Sequence, residues 1–312
     1  MKIPSLSYID DLLSIAKCGI ESLEMNVFLK SHVSMKRLNF NTGSLNKQSK
    51  CQTMHVGKQS NSCIELKVNG KPMDRVSEIT YLGSIVSNNG KNTKDIKSRI
   101  SKGLGIISDI FTILEKTAFG EYYFKVALLL RESLLLSSVC YNVEVLYNLT
   151  PKEIKDLSAL DIIFFSRLMN VPKTIPHEAF YLEMGATNIE TYIKIRRVLY
   201  YHSLANRNRR ETIYAFFLAQ LNQRKNKYDW VFQTQRDFED FGIPYNIEYL
   251  ENISKSTFKI EVKKRAQLYF FKCLILQKNN HSKMKKHIYE KLEIQPYLTS
   301  EDITIDMKKN IF

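Results

Sequence analysis

The sequence predicts an α+β fold, a small antiparallel β region up to about residue 90 followed by a predominantly helical remainder. Two observations carry that expectation. Before Gly90, short apolar segments alternate with polar residues and are punctuated by turn signals; beyond it, apolar residues recur at helical spacing. The length of 312 residues, 44 % of them hydrophobic and 25 % charged, is enough to bury a sizeable core.

In chain order, "KIPSLSYIDDLLSIA" reads as strand, turn, strand, because apolar residues flank Asp10 and Asp11 on both sides and no helix start precedes them. From Ile20, "IESLEMNVFLKSHVSMKRL" places Leu23, Val27, Leu29 or Lys30, and Val33 or Ser34 near helical spacing, which predicts an amphipathic helix. Residues 39–50 form a polar loop and "CQTMHVGK" a short strand. In "CIELKVNGKPM", Ile64, Leu66 and Val68 alternate with Glu65 and Lys67 before Asn69-Gly70, the pair that supplies the positive φ angles of a type I′ hairpin. "EITYLGSIV" reads as one returning strand that stops at "SNNG".

Asn92 is suited to cap a helix with Asp95 at N3, and Ile96, Ile100, Ile107, Ile110 and Leu114 mark its apolar face. Gly103 and Gly105 inside it imply a close backbone approach or a kink. "TPKE" is a clearer start, with Thr150 as N-cap, Pro151 at N1 and Glu153 at N3, followed by Ile154, Leu157, Asp161, Phe164 and Leu168. Residues 189–222 and 257–277 are helical in pattern; the intervening segments, with Trp230, Gly242 and Pro244, read as loops or helix ends.

Forty-six Lys and Arg against thirty-two Asp and Glu leave a net charge of +14, which suggests a polyanionic partner, most simply nucleic acid, with a merely basic surface as the alternative that charge alone does not exclude. The five cysteines form no CxxC pair and read as reduced thiols of an intracellular protein, nuclear or cytoplasmic. No signal-peptide core opens the chain. Residues 126–147 are long enough to span a bilayer, but Arg131, Glu132, Asn142 and Glu144 interrupt them, so a buried helix is expected and no membrane partner.

The chemistry centres on Asp10 and Asp11. A polar hairpin turn is the bland reading of adjacent acids. The sharper one is a metal site, because phosphoryl transfer by two metals needs carboxylates held rigidly around two Mg²⁺ ions about 4 Å apart. The order decides between them: Tyr8-Ile9-Asp10-Asp11, a helix, a Lys-rich loop, the Asn69-Gly70 hairpin, Tyr81-Leu82-Gly83 and then a basic helix. That order resembles the C-terminal half of the reverse transcriptases of non-LTR (LINE-like) retrotransposons, with Tyr8–Asp11 as the YxDD turn of the palm. Residues 81–103, "YLGSIVSNNGKNTKDIKSRISKG", are similar to that family's primer-grip strand leading into its thumb helix. "LLLRESLLLSSVCYNVEVLYNLTPKEI" and "PHEAFYLEMGA" resemble the helical region that follows.

The resemblance implies a partial palm at residues 1–90, thumb-like helices at 91–150 and a helical extension at 151–312. It implies Asp10 as the principal Mg²⁺ ligand, with Asp11 assisting, and Lys50 as the proton donor to pyrophosphate, with Lys47 competing. Tyr8, Tyr81, Leu82 and Gly83 would lie along the primer, and Lys94, Lys97 and Lys102 would meet phosphates of an RNA template and DNA primer duplex. The family carries a further catalytic Asp on a strand well upstream. This chain starts nine residues before Asp10, so that strand and the fingers are expected to be absent, and the isolated chain to be inactive. The competing expectation is a non-enzymatic nucleic-acid-binding fragment or a decayed element copy.

Two other groupings are weaker. Cys51, His55 and Cys63 have no fourth ligand at matching spacing and make a poor zinc site. Arg196, Arg197, Arg207, Arg209 and Arg210 interleave with Tyr200 and Tyr201, a pattern that can stack bases. A packed helix with a solvated face is the preferred reading there, as it is for Lys263-Lys264-Arg265.

Overall fold

The computed structural model describes residues 5–8, 11–16, 18–35, 40, 51–57, 65–117, 119–146, 149–222, 229–280, 284 and 289–298. The chain divides into two compact units, Met1–Asp95 and Ile96–Phe312. Among the described residues the strands lie in the first, and helices dominate the second, an α+β composition.

In the first unit, β1 (Ser5–Tyr8) and β2 (Asp11–Ser14) form an antiparallel ribbon in which Tyr8 pairs with Asp11. Helix α1 (Gly19–Met35) follows. Its inward face differs from the expected one: Met25 is buried and Leu29 and Val33 are partly so, whereas Val27 is 70 % exposed and Leu23 also faces solvent. Met25, Leu29 and Val33 lie four residues apart and share one side. Asn26 Nδ2 donates to the Lys67 carbonyl (2.9 Å), fixing α1 to the next strand.

The expected strand at 51–58 shrinks to β3 (Gln52–Thr53), which pairs in parallel with β6 (Asp74–Arg75). The Asn69-Gly70 hairpin forms as expected: β4 (Lys67–Val68) pairs antiparallel with β5 (Lys71–Pro72), with φ of 52° and 76° at the turn. Val68 points inward and Glu65 and Lys67 outward, as the alternation predicts; Ile64 and Cys63 lie outside the described residues.

"EITYLGSIV" is two strands rather than one. Strand β7 (Glu78–Tyr81) turns at Leu82-Gly83 and pairs antiparallel with β8 (Ser84–Ser87), Tyr81 opposite Ser84. Leu82 has φ 46° and Gly83 φ 80°, so both central residues of the turn are left-handed. That matches the strand twist, at a cost for a side-chain-bearing residue such as Leu82 of about 1 kcal/mol. Among the described residues the strands form four separate two-stranded ribbons, one of them parallel, instead of a single antiparallel sheet.

Helix α2 (Thr93–Lys116) begins in the first unit and runs into the second. Asp95 is buried at its first turn, where Oδ1 accepts from the Ile85 amide (2.9 Å) and ties the helix start to β8. Ile96, Ile107, Ile110 and Leu114 are buried and Ile100 packs against them, the expected face. Gly103 is the close approach its position implied: a Cβ there would meet Leu160 Cδ1 at 2.6 Å and Val139 Cγ2 at 3.0 Å, whereas one at Gly105 would meet nothing.

Residues 126–147 are not one helix. Helix α3 (Tyr123–Leu130) widens into a π-helical turn (Arg131–Leu136), tightens to α4 (Ser137–Val139) and ends in a 3₁₀ turn (Val143–Val145). Ser133 Oγ donates to the Leu129 carbonyl (2.7 Å), the back-bonding that bends helices. Helix α5 (Pro151–Leu168) starts at the expected capping box: Thr150 Oγ1 accepts from the Glu153 amide (3.3 Å) and Glu153 Oε2 from the Thr150 amide (2.9 Å).

Asp161 is the polar residue on the buried stripe of α5, and Arg131 explains it. Nε and Nη2 of Arg131 donate to Asp161 Oδ1 at 2.9 and 2.7 Å, and Nη2 also to the Thr187 carbonyl at 2.8 Å. Asp161 Oδ2 accepts from the Ile189 amide (2.9 Å). Arg131 is 1 % exposed and Asp161 fully buried, so this pair locks the π-helical turn to α5 and to the start of α7.

The segment 189–222 is two helices, α7 (Ile189–Ala205) and α8 (Thr212–Asn222), after the short α6 (His177–Met184). Trp230 opens a helix that the sequence did not announce, α9 (Trp230–Phe241), capped by Asp229 and closed at Gly242 with φ 63°. Helices α10 (Ile247–Glu251) and α11 (Lys255–Lys278) follow. Two apolar clusters result. One is built on α2, α3, α5 and α6; the other, on α8, α9 and α11, is rich in aromatics such as Tyr201, Phe217, Phe238 and Phe258. Helices α7 and α11 belong to both, α7 through Ile189 and Ile193 and then Val198, Tyr201 and Leu204, and α11 through Phe258 and Val262 and then Phe270 and Leu274.

The last described segment closes the first cluster. The Gln295 amide donates to the Glu183 carbonyl (2.9 Å), Ile294 bridges Met184, and Leu298 is fully buried. Gly185 has φ 61°, and a Cβ there would lie 2.2 Å from the Glu293 backbone, so only glycine fits beneath this strap.

Candidate nucleic-acid interface

Strands β1 and β2 bring the two ends of Tyr8-Ile9-Asp10-Asp11 into register across a ribbon. Ile9, Asp10, Lys47 and Lys50 lie outside the described residues; Tyr8 and Asp11 are placed by their backbone alone. Tyr81 ends β7, partly buried, and Leu82 and Gly83 form the turn, Gly83 being exposed. The hairpin therefore presents this segment as a tip instead of an extended edge.

Lys94, Lys97 and Lys102 are exposed positions of α2. Lys94 forms an ion pair with Glu78 of β7, which draws its charge back to the hairpin. Lys97 and Lys102 present theirs to solvent. Among the described residues no group of three His, Cys, Asp or Glu could hold a metal ion, and of Cys51, His55 and Cys63 the last is not described.

The basic-aromatic run of α7 is mostly spoken for inside the protein, as the packed-helix reading expects. Arg196 forks onto Glu144 with two bonds of 2.8 Å. Arg197 is buried, donating to both oxygens of Asp237 at 2.7 and 3.0 Å and to Gln233 at 2.9 Å. Tyr201 is buried among aromatic rings. Only Arg207, Arg209 and Arg210, beyond the end of the helix, are exposed.

A cavity of about 900 Å³ in the second unit has Ile154, Ile163, Phe270 and Leu274 in its wall, with Lys194, Arg197, Asp237 and Asp240 among its charges. Those charges are paired with one another: Lys194 reaches Asp240 (2.9 Å) and Glu190 (3.4 Å). Burial opposes the Lys194 charge, but the Asp240 hydrogen bond and Glu190 outweigh it and raise the ammonium above its ordinary value. It is therefore neither a base nor a nucleophile near neutrality. Burial likewise pushes the Cys140 thiol up to about 12, which makes it inert. Burial raises the Asp161 carboxyl too, against the pull of Arg131, and lowers the His202 imidazole. These perturbed groups are held by packing and paired charges and form no nucleophile–base constellation.

The partnerships of Arg131 and Arg197 were missed by sequence reasoning. Their one visible signal was a charge inside an apolar pattern: Arg131 within 126–147 and Asp161 on the stripe of α5. No family model, curated protein or solved structure matches this chain.

Proposed function

We propose that the chain is part of an RNA-directed DNA polymerase of the non-LTR retrotransposon type, carrying the end of the palm, the thumb and a helical extension, and that its partner is an RNA template paired with a DNA primer. The observation that carries this reading is the β1–β2 ribbon, whose register sets Tyr8 opposite Asp11 and encloses the YIDD motif between two paired strands. The order that follows adds support: helix α1, the Asn69-Gly70 hairpin, the Tyr81-Leu82-Gly83 hairpin tip, and a helix with Lys97 and Lys102 exposed. In a complete polymerase Asp10 and Asp11 would hold Mg²⁺, which would supply charge neutralisation at the transferring phosphate.

Primer extension tests the reading. These 312 residues with Mg²⁺ and a primed RNA template are expected to give no product. Adding the fingers and remaining palm as a separate polypeptide is expected to restore incorporation, and Asp10→Ala with Asp11→Ala to abolish it. Absence of restored synthesis, or synthesis indifferent to both alanines, removes the polymerase reading.

A second reading, a nucleic-acid binder without catalysis, is favoured by the exposed lysines of α2 and the excess of positive charge. It expects salt-sensitive duplex binding that the same alanine pair leaves unchanged.

A further inference from the structure

We propose that the surface where α7 ends and α11 begins is a separate nucleic-acid-binding site that grips the phosphodiester backbone of a single strand. It involves neither Asp10 nor the lysines of α2, and it does not rest on the polymerase reading.

The site is assembled from two chain turns. Helix α7 stops at Ala205, and Asn206 Nδ2 donates to the Leu250 carbonyl (3.0 Å), fixing that turn to α10. Arg207 and Arg209 leave the turn into solvent, the Arg209 side chain 76 % exposed. On the other side, Ser254 caps α11 by accepting from the Thr257 amide (3.2 Å), and Lys255 follows. Between the two turns lies a polar depression of about 560 Å³ with Ser203, Asn206, Arg207 and Lys255 in its wall.

The positive charge continues along α11. Lys255, Lys259 and Lys263 recur every fourth residue, about 6 Å apart along the axis, and Lys264 lies beside the last of them. Phe258, Val262 and Ala266 are buried, whereas Lys255, Lys259, Lys263 and Lys264 are exposed, Lys259 and Lys263 on the flank of the buried row. Among the described residues two carboxylates pair with the arginines of this group, both loosely: Glu211 stands 3.7 Å from Arg207, and Glu251, which also lines the depression, 3.4 Å from Arg209. Among the described residues Lys259, Lys263 and Lys264 have no ion-pair partner.

A row of unpartnered ammonium groups leading into a polar, arginine-flanked depression suits a chain of phosphates better than an acidic protein, whose side chains lack a regular charge spacing. An anionic membrane fits less well. The apolar stripe of α11 that would enter a bilayer is buried in the protein, and Ile260, Leu268 and Leu276 remain exposed, each eight residues from the next.

The test is fluorescence anisotropy of the full chain with a labelled single-stranded RNA across a range of KCl concentrations. Two charge-matched variants are compared, Lys259→Gln/Lys263→Gln/Lys264→Gln and Lys116→Gln/Lys152→Gln/Lys173→Gln. All six positions are exposed, and unchanged urea midpoints confirm that both variants fold. The first variant is expected to bind at least about ten-fold more weakly, with a salt slope shallower by roughly two. The second is expected to stay within about two-fold of the parent. Equal losses in both, a parental slope in the first, or no RNA binding by the parent overturns the proposal. So does a parent that binds phosphatidylserine–phosphatidylcholine vesicles in preference to RNA. Asp10→Ala with Asp11→Ala leaves this binding intact, so a failed primer extension and a failed RNA titration are separate results.

Discussion

Arg131 and Asp161 form an ion pair removed from water almost completely, and its energetics are asymmetric. Both partners have neighbouring hydrogen bonds, so the desolvation cost is offset only while the pair is whole. Asp161→Ala, which strands a buried guanidinium, is expected to cost about 3–5 kcal/mol in urea unfolding. Arg131→Met combined with Asp161→Leu is expected to cost markedly less than that single change. His202 gives a residue-scale pH dependence. Its ring stacks on Phe258, with centroids 4.4 Å apart, and Nε2–H donates to the Ile253 carbonyl (3.1 Å). Burial lowers its pKa below the ordinary 6.5, so the folded state holds the neutral ring while the unfolded chain takes up a proton first. The stability this contributes is complete above about pH 6.5 and is lost as pH falls towards the folded value. Urea midpoints measured down to pH 5 should therefore decline, and less steeply in His202→Gln.

Among the elements, α2 carries two glycines with opposite expectations. Gly103→Leu drives atoms into Leu160 and Val139 and is expected to destabilise by about 1–3 kcal/mol; Gly105→Ala meets open space and is expected to stabilise by about 0.5–1 kcal/mol. Thr150→Ala removes half of a capping box, a loss of about 1 kcal/mol. Denaturant midpoints check all three. The same elements show what was legible in the sequence. The box at Thr150, the turn at Asn69-Gly70 and the isoleucine face of α2 depend on neighbours a few residues away, so local chemistry specifies them. Helix α1 misleads because it is apolar on two sides: Val27 and Phe28 stay exposed while Met25 turns inward, and only tertiary contacts choose. The turn at Leu82-Gly83 was hidden because a leucine seldom adopts positive φ. Of the candidate site, the ribbon flanking Asp10 was readable from its apolar flanks, whereas the depression lined by both Arg207 and Lys255 depends on α10 fixing two turns that are distant in sequence.

For the molecule as a whole, a net charge of +14 and a pI near 9.4 govern encounter more than fold. At neutral pH and low salt the chain is expected to be retained on an immobilised polyanion, to elute as salt rises, and to bind progressively less as pH approaches 9.4. A column run at two pH values checks this; retention that salt does not relieve contradicts it. Arg131, Arg197 and Arg196 are paired with Asp161, Asp237 and Glu144; each pair is neutral, so the whole surplus of +14 lies outside them. The exposed remainder includes Lys97 and Lys102 on α2 and the row on α11. Composition gives the charge surplus, but only the coordinates separate the arginines that hold the interior from the lysines that face outward.

The strap over Gly185 also sets a timetable. Residues 293–298 cover a seam against α6 that is more than a hundred positions older in synthesis, as the Glu183–Gln295 bond records. Translation from the amino end at about 5–20 residues per second therefore leaves that seam open for several seconds after α6 emerges. A messenger cut just short of codon 293 would yield a product that never acquires its final clasp.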